Sequence, residues 1–197
     1  LFEKVVTPCH YLVDIHDGDL VEDLSPYAAY KASGQEPLDE KMRKMAMAFG
    51  APWVLKDASG DRPGSLTFAS VRRAIPSVVV EAGRQGKLEE DRVRQHTDGI
   101  PNILRHLEIL TDAHPAPSQS KFLSQWLWMY SDYDGIFYSQ VQVGDWVEEG
   151  QPLGKVTDIL GNLLAELKSP HQGYIMFLVT SPATYKGSPL LSFGIPT

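Results

Sequence analysis

The sequence predicts an α/β domain followed by a small all-β domain. Three observations carry this reading. In the first half, strand-like apolar runs alternate with helix-like periods, which implies a sheet with parallel strands flanked by helices on both sides. From Thr111 to Ser120 the chain reads T-D-A-H-P-A-P-S-Q-S, whose two prolines and small polar residues suit an extended connector. Beyond it, short apolar alternations are punctuated by Gly150-Gln151, Gly161-Asn162 and Gly173, with no convincing helical period. The expected domains are 1–115 and 116–197.

Tyr11-Leu12-Val13-Asp14-Ile15 reads as a short strand, apolar enough to lie inside a sheet. Leu38 to Phe49 is the clearest helix: Leu38, Met42, Met45, Ala46 and Phe49 recur on one face, and Gly50 is a natural stop. Methionines at that spacing fill core gaps rather than bind ligands. Pro52-Trp53-Val54-Leu55 suits another strand, and Ser65 to Ala74 a helix capped by Ser65. Ile75 to Glu81 is a strong strand, because the consecutive Val78, Val79 and Val80 demand burial on both faces. Glu89 to Leu110 is helical again, with Val93, Ile100, Leu104 and Leu107 on one face and Pro101 expected to kink or divide it. In the second domain, Val141-Gln142-Val143-Gly144-Asp145-Trp146-Val147 alternates like a strand.

Composition narrows the function. The 197 residues carry a net charge of −7, which argues against nucleic acid or an anionic membrane as partner. No apolar run is long enough to span a bilayer. Cys9 is the single cysteine, so an internal disulfide and cysteine-based zinc or iron–sulfur sites are excluded. A reducing compartment, the cytoplasm, is the expected location. The opening Leu1-Phe2-Glu3-Lys4 has neither Met nor a signal pattern, so a piece of a longer protein is expected.

Two positions can carry chemistry. Asp14-Ile15-His16 ends one strand and Glu81 ends another, and the carboxyl ends of strands border the usual crevice of an open α/β sheet. Glu81 follows an apolar run, where burial raises a carboxylate's affinity for a proton and suits it to move one. Alternation places Asp14 and His16 on the same side, so Asp14 is suited to orient the imidazole from behind. A structural histidine and a loop-pairing glutamate are the plain alternatives. The remaining histidines form no zinc motif, and no phosphate loop or nucleophile elbow is present.

Val13-Asp14-Ile15-His16 with Asp17-Gly18-Asp19, then Ala74 through Gly83 and the helix at Ile100-Pro101-Asn102-Ile103-Leu104, resembles the succinylglutamate desuccinylase/aspartoacylase family. The resemblance implies a zinc-carboxypeptidase-like mixed sheet flanked by helices, here N-terminally incomplete. It implies a zinc-dependent hydrolase of N-acyl amino acids, acting on carbon–nitrogen bonds other than peptide bonds. His16 then matches the third zinc ligand and Glu81 the general acid/base on a metal-bound water. The family's H-x-x-E ligand pair and its asparagine–arginine substrate pair precede the matched region and are absent from these residues, so the resemblance leaves this stretch inactive alone. Arg62, in the loop Asp57 to Gly64, and Arg84, beside Glu81, are candidates to bind an anionic substrate.

The second domain, through Val141 to Leu153 and Ser169-Pro170 to Ile175, resembles the barrel–sandwich hybrid of biotinyl and lipoyl domains. Leu160 stands where the carrier lysine belongs, so a swinging-arm role is disfavoured. Trp126, Trp128 and Tyr130 suit a subunit contact or packing between domains, which leaves a homo-oligomer open. The alternative to an enzyme is a metal-free, non-catalytic relative that binds a small molecule or serves a structural role.

Overall fold

The structure, a computed structural model, describes residues 2–60, 62–112 and 119–197. Most of the connector expected over Thr111 to Ser120, with the boundary between 115 and 116, lies outside the described residues, as does Asp61. A wide helical turn, Phe2–Val6, leads into β1 (Leu12–His16), β2 (Glu22–Leu24), β3 (Tyr27–Lys31), α1 (Glu36–Phe49), β4 (Trp53–Asp57), α2 (Leu66–Val71), β5 (Ser77–Glu81) and α3 (Glu90–His106). Strands β6 (Lys121–Tyr130), β7 (Gly135–Ser139), β8 (Trp146–Val147), β9 (Pro152–Thr157), β10 (Leu163–Lys168), β11 (Gly173–Val179), β12 (Ala183–Thr184) and β13 (Pro189–Pro196) follow. No described helix is long and apolar enough to cross a membrane.

These elements form two compact units. The first comprises Leu1–Asp17, Pro26–Gly83 and Leu88–Leu123, and the second Gly18–Ser25, Arg84–Lys87 and Ser124–Thr197. In the first, the strand order is β1-β5-β3-β4 and the start of β6. The sheet is mixed: β1 runs parallel to β5, β3 antiparallel to β5, and β4 parallel to β3. Alternation sends Val78 and Val80 to one face, where they join Ala28, Tyr30 and Val54 and meet Met42, Met45 and Phe49 of α1 and Ile103 of α3. Val79 and Glu81 point the other way. The one antiparallel pairing, β3 with β5, reverses the strand ends and decides which residues reach Glu81.

Local chemistry explains the boundaries. Pro37 starts α1, and Gly50, at φ 83°, ends it in a left-handed turn whose N–H bonds Met47 O at 3.1 Å. Ser65 caps α2 by accepting from Phe68 N at 3.3 Å. That helix stops at Val71 rather than Ala74: Ala74 turns to φ 56°, and Pro76 disfavours a helical Ile75. Helix α3 runs undivided through Pro101. Its buried positions are Gly99 and Ile103, and Ile100 and Leu107 of the expected face pack beside them against the same core, while Val93 is 36% exposed. Gly99 lets the helices meet: a Cβ there would overlap the Phe49 ring, so glycine brings α3 against α1 at that point.

The second unit is all strand among its described elements. Strands β6, β13, β11 and β2 are neighbours in that order, β8 pairs with β11, and β10-β9-β7-β12 form a separate sheet. Its core holds Phe137, Val147, Leu153, Val156, Ile175, Leu190, Leu191 and Phe193. The expected strand over Val141 to Val147 is instead a turn with only Trp146–Val147 in a strand, because Asp145 accepts from Gln142 N at 2.8 Å and folds the segment back. Trp128 stacks on Tyr130 with centroids 6.3 Å apart and packs on Phe177 at 5.0 Å.

Candidate active site

The last register pair of β1 and β5 is His16 with Glu81. Partners in a parallel pair project to the same face, so imidazole and carboxylate stand side by side at the carboxyl ends of both strands. Two residues back, Asp14 shares that face, and its Oδ1 lies 3.3 Å from His16 Nε2, within reach of an N–H on that nitrogen. The His16 side chain is half exposed while Asp14 is largely covered. An open imidazole backed by a carboxylate has a fixed ring orientation and one nitrogen turned to its partner.

Glu81 is held from its other side by a residue that sequence reasoning missed. Tyr27, the first residue of β3, is the antiparallel register partner of Glu81, and its Oη donates a hydrogen bond to Glu81 Oε2. Both residues are half-buried. The apolar run ahead of Glu81 does not enclose it, since Val80 faces the helices and Glu81 the opposite side. The signal for Tyr27 was faint: Tyr27-Ala28-Ala29-Tyr30-Lys31 has no β-branched residue and gains its strand form from β4 and β5.

The backbone beyond Glu81 is pinned twice. His96 Nε2 lies 3.0 Å from Ala82 O, with its ring against Phe49 at 5.8 Å between centroids. Gly83 sits at φ 127°, and the Asp17 carboxylate occupies the place a Cβ would take. The segments leaving β1 and β5 are thereby fitted to each other.

The two candidate substrate arginines fare differently. Arg62 Nε stands 3.9 Å from Asp57 Oδ2, at the carboxyl end of β4. Because β4 runs with β3 and against β5, that end lies at the start of β5, so the strand order does not bring Arg62 beside Glu81. Asp57 belongs to a separate cluster. Burial raises its carboxyl, and Ser59 together with the Lys31 ammonium outweighs this and holds it below the usual range. The buried Lys31 Nζ donates to Gly60 O at 2.9 Å. Arg84 Nη1 lies 3.3 Å from Asp23 Oδ1, an ion pair that engages its guanidinium. A cavity of about 670 Å³ is lined by Cys9, His10, Tyr11, Lys41, Ile75 and Pro76, at the amino ends of β1 and β5 and so opposite His16 and Glu81.

Among the described residues, no group of three or more His, Cys, Asp or Glu side chains could hold a metal ion. His16 offers one imidazole where a catalytic zinc needs three protein ligands, so these residues by themselves do not fit zinc.

Comparison with known proteins adds a family. The profile for the "Succinylglutamate desuccinylase/Aspartoacylase catalytic domain" matches residues 1–107. N-alpha-acetyl-L-2,4-diaminobutyric acid deacetylase of Halomonas elongata is 24% identical over 163 residues, covering 80% of this chain and 48% of that protein. The product-bound ectoine utilization protein EutE (DoeB) of Ruegeria pomeroyi superposes with a TM-score of 0.87 at 20% identity, covering 98% of this chain and 61% of that one. A succinylglutamate desuccinylase from Silicibacter sp. TM1040 gives 0.89 at 22% identity, covering 100% and 61%. The chain thus spans about half the length of the curated relative and about three-fifths of the solved ones.

Proposed function

Since the chain belongs to the succinylglutamate desuccinylase/aspartoacylase family, we propose that it forms part of a hydrolase that removes the acyl group from an N-acyl amino acid. The observation supporting this most directly is the register pair His16–Glu81, which gives one sheet edge an exposed imidazole beside an anchored carboxylate. In this reading Glu81 takes a proton from the attacking water as the new carbon–oxygen bond forms. It then delivers that proton to the amine nitrogen as the carbon–nitrogen bond breaks, and the second water proton follows from the acyl product, leaving a carboxylate and an ammonium group. Asp14 orients His16. The name of the Halomonas elongata relative makes N-acetylated diamino acids the first substrates to try, followed by N-succinyl amino acids.

Zinc dependence is part of the proposal, with His16 as one ligand. The other two ligands that the family resemblance calls for are not among these residues, so the chain alone is expected neither to hold zinc tightly nor to turn over. We further read residues 116–197 as a barrel–sandwich-type domain without a carrier role. The tip between β9 and β10 presents Leu160, 82% exposed, where an amide-linked arm would need an amine.

The test pairs metal analysis with Glu81→Gln in the longest native chain containing these residues. Stoichiometric zinc, release of acetate or succinate, and loss of that release in the variant with zinc retained support the hydrolase. A native chain without metal and without turnover supports the non-catalytic alternative.

A further inference from the structure

We infer that Tyr27 is a positioning residue for Glu81, an inference that rests on the reading of Glu81 as the proton carrier. A glutamate side chain ends in a soft rotation about its last bond, so its carboxylate plane is not fixed by rotamer preference alone. Proton transfer tolerates little misplacement of the transferring atom. The structure supplies what a free side chain lacks: the Tyr27 phenol donates to Oε2 and thereby fixes the plane in which the carboxylate meets the water and the leaving nitrogen.

The anchor is firm because its base is firm. Tyr27 and Glu81 are register partners in adjacent strands, so backbone pairing and the side-chain hydrogen bond act on the same two residues. The next residue, Ala28, is fully buried among the residues packed under α1, which ties β3 down beside the site. On the far side of Glu81, His96 holds the carbonyl of Ala82. The carboxylate is therefore held by a phenol, and the backbone one residue beyond it by an imidazole.

Tyr27→Phe keeps the ring and its packing and removes only the donor. In the longest native chain, kcat for an N-acyl amino acid should fall about tenfold, with KM and melting temperature unchanged, because an orienting contact is lost and a binding contact is not. An unchanged kcat, or a parallel loss in KM and melting temperature, overturns the inference. A second measurement needs no turnover. In ¹³Cζ-tyrosine NMR spectra, the Tyr27 signal, identified by its absence in Tyr27→Phe, should shift in Glu81→Gln. A signal that stays put overturns the inference whatever the kinetics. Glu81→Gln also separates the two levels of argument. Turnover that survives it removes the reading of Glu81 itself. An inactive Glu81→Gln beside a fully active Tyr27→Phe removes only the role of Tyr27.

Discussion

The Asp17 carboxylate lies where Gly83 would carry a Cβ, so the segments following His16 and Glu81 interlock without a side chain on the second. Gly83→Ala meets both that overlap and a backbone at φ 127°, a conformation L-residues rarely adopt. We expect a cost of about 1–3 kcal/mol in urea unfolding. Hydrolysis should fall more steeply than stability, since the substitution pushes apart the two strand ends that present the candidate residues.

Gly99 sets intrinsic preference against packing. On an isolated helix, alanine would outrank glycine by about 1 kcal/mol. Here Gly99→Ala drives a methyl into the Phe49 ring, and the expected result is a net loss of about 1–2 kcal/mol. Denaturation that shows a more stable variant would mean that α3 slides along α1 at no cost.

Asp39 predicts an acid limb to stability. Burial raises its carboxyl, but the Ser33 hydroxyl at 2.6 Å, Ser33 N at 2.8 Å and Lys56 Nζ at 2.9 Å outweigh this and hold it below its usual range. The unfolded chain then binds the proton more readily than the folded one. The contribution is complete above about pH 4 and is lost as the pH falls through the lowered folded value. Asp39→Ala should cost about 2 kcal/mol at neutral pH by stranding its donors, and the slope of stability below pH 4 should flatten in the variant.

Arg62 supplies a negative control. Its contact with Asp57 stands at the opposite end of the strands from Glu81, so Arg62→Ala should leave kcat and KM for any hydrolysed substrate within about twofold of the parent. A large rise in KM would show that the loop after β4 reaches the site by a route the strand directions do not suggest.

The parts of the fold that could be read from sequence were those with strong local patterns. Val78, Val79 and Val80 announced β5, and the spacing of Met42, Met45 and Phe49 announced α1. His16 and Glu81 stand out as candidates because each terminates such a pattern. Tyr27 does not, since two alanines hide its strand, and its strand form depends on neighbours distant in sequence. The place of Arg62 depends on the same strand, since β3 reverses direction between β5 and β4 and thereby sets the end at which the loop after β4 emerges. The close approach of α3 to α1 follows from Gly99, whose value lies in a missing side chain that no count of apolar residues detects.

The insertion of β3 between β5 and β4 also has a kinetic consequence. Tyr27 meets Glu81 across 54 positions of chain, and α1, β4 and α2 are all formed from the intervening residues. Such a distant closure carries a high loop entropy and belongs among the slower events of folding. During refolding, the helical signal in circular dichroism should therefore recover ahead of the environment of that phenol, and chemistry at the sheet edge should return only with the second event.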